Sequence, residues 1–94
     1  MRLSHREINI IISKAKLIFD DAIVYLFGSR TDDSKSGGDI DLYIVTNIKN
    51  NIFQKKLKLQ IILEDILYKP VDVIISQDKN RLIEKEALKG IKIN

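Results

Sequence analysis

The chain has 94 residues, 45% of them hydrophobic and 31% charged, which describes one small globular domain (1–94) with room for a single core. It has no Cys, which excludes a disulfide framework or a thiolate zinc site, and no apolar run approaches the length of a membrane span. The first residues lack the form of a signal peptide, so the expected setting is the cytoplasm, with no membrane partner. The net charge of +3 suits a nucleotide or nucleic-acid partner, but it is small enough to be ordinary solvated surface.

Ser4-His5-Arg6-Glu7 has the form of a capping box and predicts a helix from Ser4 to Phe19. Ile8, Ile11, Ile12, Ala15 and Phe19 recur at helical spacing as its buried stripe. Leu3, Ile10 and Leu17 fall on a second, narrower stripe, read either as isolated surface residues or as a docking line for another chain. Asp20-Asp21 breaks the pattern. Ala22 to Phe27 is then a β-branched apolar run, the form of a central strand, and it stops at Gly28. Thr31 to Gly38 has loop composition, and a second strand runs from Asp39 to Val45.

An Asn-rich linker leads to a second helix, Asn51 to Tyr68. Ile52, Leu59, Ile62, Leu63, Ile66 and Leu67 form its core face, while Phe53, Leu57 and Ile61 make a separate apolar line. Pro70 prevents continuation, and Val71 to Ile75 is a third strand with one acid, Asp72, inside it. Asp78 has the character of an N-cap for a last helix ending near Lys89, with Gly90 as its stop. The tail Ile91 to Asn94 either pairs at a sheet edge or frays. The order helix, strand, loop, strand, helix, strand, helix gives an α+β fold: a small mixed β-sheet with helices packed on one side. The short link between the first two strands makes that pair antiparallel.

Asp39 and Asp41 share one face of an extended strand, and two acids on one face favour a hard divalent cation between them. Gly28 allows close backbone approach to a ligand, and Ser29 with the N–H groups after it can cradle phosphate oxygens. Asp72, on a neighbouring strand, can complete a carboxylate set as a base, a metal ligand or both. Each piece has a plainer explanation: Gly-Ser as a turn, Asp39 as a loop end, Asp72 as a solvent-facing edge acid. The ordered combination is more specific than its parts. His5, the only His, lies in a first helical turn without partner ligands. Glu84 and Glu86 read as solvated charge, and Tyr43 and Tyr68 as packing, surface or self-modified residues.

Gly28-Ser29, nine intervening residues, Asp39-Ile40-Asp41 and later Asp72 resemble the polymerase-β-type nucleotidyltransferase superfamily, and the small size is similar to its minimal, MNT-type, members. That resemblance implies transfer of a nucleoside monophosphate, AMP from ATP, to a hydroxyl with pyrophosphate leaving. It implies Asp39, Asp41 and Asp72 as catalytic ligands of one or two Mg²⁺ ions, and Gly28, Ser29 and Arg30 as triphosphate contacts. Many relatives carry a second Arg where this chain has Asp32, and Asp32 and Asp33 add negative charge to the loop. The resemblance further implies the antitoxin of a type VII-like pair whose partner is a HEPN-type ribonuclease toxin, adenylylated on a tyrosine hydroxyl. Leu3, Ile10, Leu17, Phe53, Leu57 and Ile61 are then the candidates for partner docking. A homodimer is the other way to complete a substrate surface. The competing function is a non-catalytic module that neutralises a ribonuclease by binding it. Direct nucleic-acid binding is not expected, since no surface pattern of aromatic and basic residues supports it.

Overall fold

Ser4 opens the first helix as its sequence requires: its Oγ accepts the Glu7 N–H at 3.1 Å, and Glu7 Oε1 accepts the Ser4 N–H at 3.0 Å. The computed structural model describes residues 3–28, 39–77 and 81–94. Their elements are α1 (His5–Ile18), β1 (Ile23–Phe27), β2 (Ile40–Val45), α2 (Ile52–Leu67), β3 (Val71–Ile75), α3 (Leu82–Leu88) and β4 (Ile91–Lys92).

The strands form one mixed sheet in the order β3-β2-β1-β4. β1 runs antiparallel to β2, with Phe27 opposite Asp41, and antiparallel to β4, with Tyr25 opposite Lys92. The tail therefore pairs rather than frays. β2 and β3 are parallel, with Asp41 beside Asp72, and such a pair needs a crossover, which α2 supplies. β3 is an outer strand, and α2 blunts its free edge. The Val71 N–H donates to Glu64 Oε2 at 2.8 Å and the Val73 N–H to Gln60 Oε1 at 2.9 Å.

The two long helices cover one face of the sheet. Ile11, Ala15, Leu59 and Leu63 pack there against Val24, Leu26, Leu42, Ile44 and Val73 in a single core. Alternation along β2 sends Tyr43 to the opposite face, where α3 meets it. α3 begins at Leu82, with Arg81 in the N-cap position and no side-chain cap bond. The N-cap expected at Asp78 lies outside the described residues.

Two surface assignments are corrected. Leu3 is buried in the core and Ile10 is half-buried against it, so of that stripe only Leu17 stands free on the surface. Leu3 precedes the N-cap, where helical spacing no longer applies. It occupies the outer position of a hydrophobic staple whose inner position is Ile8, and both join the core. Phe53, Leu57 and Ile61 are exposed as expected. Glu84 is not solvated charge but fully buried. Its Oε1 accepts the Tyr43 hydroxyl at 2.8 Å, and its carboxylate takes the Gln77 N–H at 3.1 and 3.2 Å.

Glu84→Ala leaves the buried Tyr43 hydroxyl without an acceptor, an expected loss of about 1–3 kcal/mol, while the exposed Gln77 can turn its N–H to water. Glu86→Ala removes only an exposed ion pair to Lys89 and changes stability little. Urea unfolding of the two variants checks the contrast.

Candidate active site

One end of the sheet gathers the acids. The C-terminal end of β1 and the N-terminal ends of β2 and β3 meet there, because β1 opposes β2 while β2 and β3 run together. Asp41 stands on the Tyr43 face of β2, and the parallel register puts Asp72 beside it on the same face. Asp39, two residues earlier, is exposed, Asp72 is exposed, and Asp41 is half-buried.

Gly28 follows β1 with φ +75°, a left-handed conformation that side chains rarely adopt. A Cβ at this position would stand 3.1 Å from the Asp41 Cγ and closer still to its carboxylate oxygen. Glycine is therefore required twice over, by its backbone angle and by the carboxylate lying against it.

The electrostatics carry the same message. Burial pushes the Asp41 carboxyl above its ordinary value, and the negative charges of Asp72 and then Asp39 push it further. Among the described residues, the charges that act on Asp41 are those of other carboxylates. That chemistry fits a hard cation such as Mg²⁺. Among the described residues no three His, Cys, Asp or Glu side chains are close enough to share one ion. The three acids thus occupy one end of the sheet without forming a closed ligand cage. Ser29 and Arg30, the expected phosphate contacts, lie outside the described residues, as do Asp32 and Asp33.

Tyr43 is excluded as a self-modified residue, since it is fully buried and its hydroxyl is donated to Glu84. Burial and the Glu84 contact push its pKa up, so it stays neutral. Sequence reasoning missed Glu84, though one signal was present: Glu84 and Ala87 lie three apart on α3, and both are buried.

The chain matches the family described as "Polymerase beta, Nucleotidyltransferase" over residues 7–93. It belongs to that family. No curated protein matches it. Among solved structures, one similar fold is that of a tri-AMPylated Shewanella oneidensis HEPN toxin in complex with MNT antitoxin. The likeness has 19% identity and a TM-score of 0.76, covering 98% of this chain and 72% of that one. A second is a toxin–antitoxin structure with AMP-PNP, at 20% identity and a TM-score of 0.75, covering 93% of this chain and 72% of that one.

Asp41 binds its proton more tightly folded than unfolded, so the stability it contributes in acid is lost as pH rises through its folded pKa. Asp41→Asn in metal-free protein should therefore raise the melting temperature at neutral pH, with the gain vanishing below the carboxylate range. Thermal melts across pH check the sign. Gly28→Ala should cost at least about 1 kcal/mol, because alanine is strained at positive φ. Its Cβ also displaces the Asp41 carboxylate, so Mn²⁺ binding followed by calorimetry should weaken together with stability.

Proposed function

We propose that this chain is a Mg²⁺-dependent adenylyltransferase that moves AMP from ATP to a tyrosine hydroxyl of a HEPN-type toxin partner, acting as the antitoxin of the pair. The observation that carries the reading is the Asp41–Asp72 pair, in parallel register with Gly28 pressed against Asp41, in a member of the nucleotidyltransferase family. The AMPylated toxin complex and the AMP-PNP complex, both similar in fold, support the choice of AMP and of partner.

The roles follow from placement. Asp39 and Asp41 would hold one Mg²⁺ ion, with Asp72 beside Asp41 available to a second, and a bound ion would neutralise charge on the phosphate oxygens. Gly28 leaves the backbone bare where the triphosphate approaches, and Ser29 and Arg30 continue that contact. Asp72 is the exposed acid of the pair and the one at the sheet edge, where a second protein has access. It takes the proton of the acceptor hydroxyl as the hydroxyl oxygen attacks the α-phosphorus. The bond from that phosphorus to the bridging oxygen breaks, and pyrophosphate leaves. Partner docking falls to the exposed candidates Leu17, Phe53, Leu57 and Ile61.

Incubation of the partner with this chain, ATP and Mg²⁺ should add the mass of AMP to the partner, read by mass spectrometry. Asp39→Asn combined with Asp41→Asn should abolish the addition. Persistence in the double variant would show the carboxylate assignment to be wrong. Protection of cells by an inactive double variant would instead favour neutralisation by binding alone.

A further inference from the structure

A cavity of about 290 Å³ opens beside the outer strand, lined by Ile52, Phe53 and Lys56 of α2, Ile74 and Ile75 of β3, and Gln77 and Arg81 beyond it. Its position relative to the acids is set by the strand. Ile74 is two residues past Asp72 and shares its face, roughly 6–7 Å along β3.

The cavity also collects donors without acceptors. In the parallel ladder the even-numbered N–H groups of β3 turn toward β2, as Ser76 shows by donating to the Ile44 carbonyl at 2.9 Å. The odd-numbered ones turn outward. α2 supplies acceptors to the first two at four-residue spacing, Glu64 for Val71 and Gln60 for Val73. The next residue in that series is Lys56, which cannot accept. Ile75 therefore has no acceptor for its outward N–H among the described residues. Lys56 likewise has no ion-pair partner among them. Arg81 is partly engaged, with Nη1 at 3.4 Å from Glu84 Oε2 and 3.3 Å from Gln77 Oε1, and its side chain is still 46% exposed. An ammonium, a partly engaged guanidinium and a backbone N–H thus border one cavity whose remaining wall is Phe53 with Ile52 and Ile74.

We propose that this cavity binds the acceptor protein on the flank of its modified hydroxyl, taking an acidic side chain followed by an apolar one. The carboxylate meets Lys56, Arg81 and the Ile75 N–H, the apolar side chain lies on Phe53 and Ile74, and the hydroxyl reaches back to Asp72. Extended peptide repeats the strand's own spacing, so the acid stands two or three residues from the tyrosine. The inference rests on the adenylyl-transfer reading for the identity of its occupant, and on the cavity itself for its chemistry.

The test uses the full ¹⁵N-labelled chain and two tyrosine hexapeptides that differ only in carrying Glu or Lys three residues from the tyrosine. The Glu peptide should move the amide resonances of Ile75, Lys56 and Gln77 saturably, and the Lys peptide should not. Lys56→Glu should weaken the Glu peptide about tenfold while AMP-PNP still moves the Gly28 amide. Lys56→Gln should give a smaller loss in the same direction. Equal responses to the two peptides, no movement at Ile75, or loss of AMP-PNP binding in place of peptide binding overturns the proposal. An intact Ile75 response with no AMP transferred to any acceptor counts against adenylyl transfer and leaves the cavity assignment standing.

Discussion

Two aspartates side by side in a parallel ladder are the constraint around which this fold is arranged. Neighbouring residues in a sheet normally avoid like charge. Here the backbone hydrogen bonds of β2 and β3 hold Asp41 against Asp72, and burial of Asp41 sharpens the conflict. Neither acid can escape by sliding, because a one-residue slip would turn Leu42, Ile44, Val71 and Val73 out of the core. Hydrophobic register therefore enforces an electrostatic cost, which a bound cation would relieve. The same logic explains Gly28. A side chain at the residue that follows β1 would push the Asp41 carboxylate out of this position.

The face that carries the acids is kept in shape by a polar device. Long helices seal the other face with aliphatic side chains, but here a short α3 is held by one buried carboxylate, Glu84, which joins Tyr43 of β2 to the chain leaving β3. A fully apolar contact would give comparable burial with less directional control. Hydrogen bonds to a fixed carboxylate specify where α3 lies relative to the strand bearing Asp41. Arg81, the residue before α3, reaches the same carboxylate and also borders the cavity beside β3. Structural and recognition roles therefore share a few side chains.

Much of this was legible in the residues. The capping box, most of both amphipathic core stripes (Ile12 and Ile62 stay outside the core), the antiparallel first strand pair and β3 follow from local chemistry and periodicity, and are found. The placement of Asp39 and Asp41 on one face at the start of β2 was legible for the same reason, since short-range geometry decides which side chains share a strand face. What was not legible depends on tertiary packing. Leu3 lies outside the helix whose spacing suggested an exposed stripe, and Glu84 is buried only because Tyr43 arrives from a distant strand. The cavity beside β3 needs the crossing of α2 over a strand edge, which no local pattern encodes.

β4 is a two-residue strand, yet it sets a temporal order on the molecule. It pairs with Tyr25 and Leu26, Ile93 donates to the Val24 carbonyl at 2.9 Å, and the Asn94 amide donates to the Ala22 carbonyl at 2.8 Å. The clasp joins residues up to 72 positions apart, so it is among the last contacts whose loop entropy can be recovered. During synthesis β1 keeps one unpaired edge until this segment clears the ribosome, although the strand pair carrying Asp41 and Asp72 can already form.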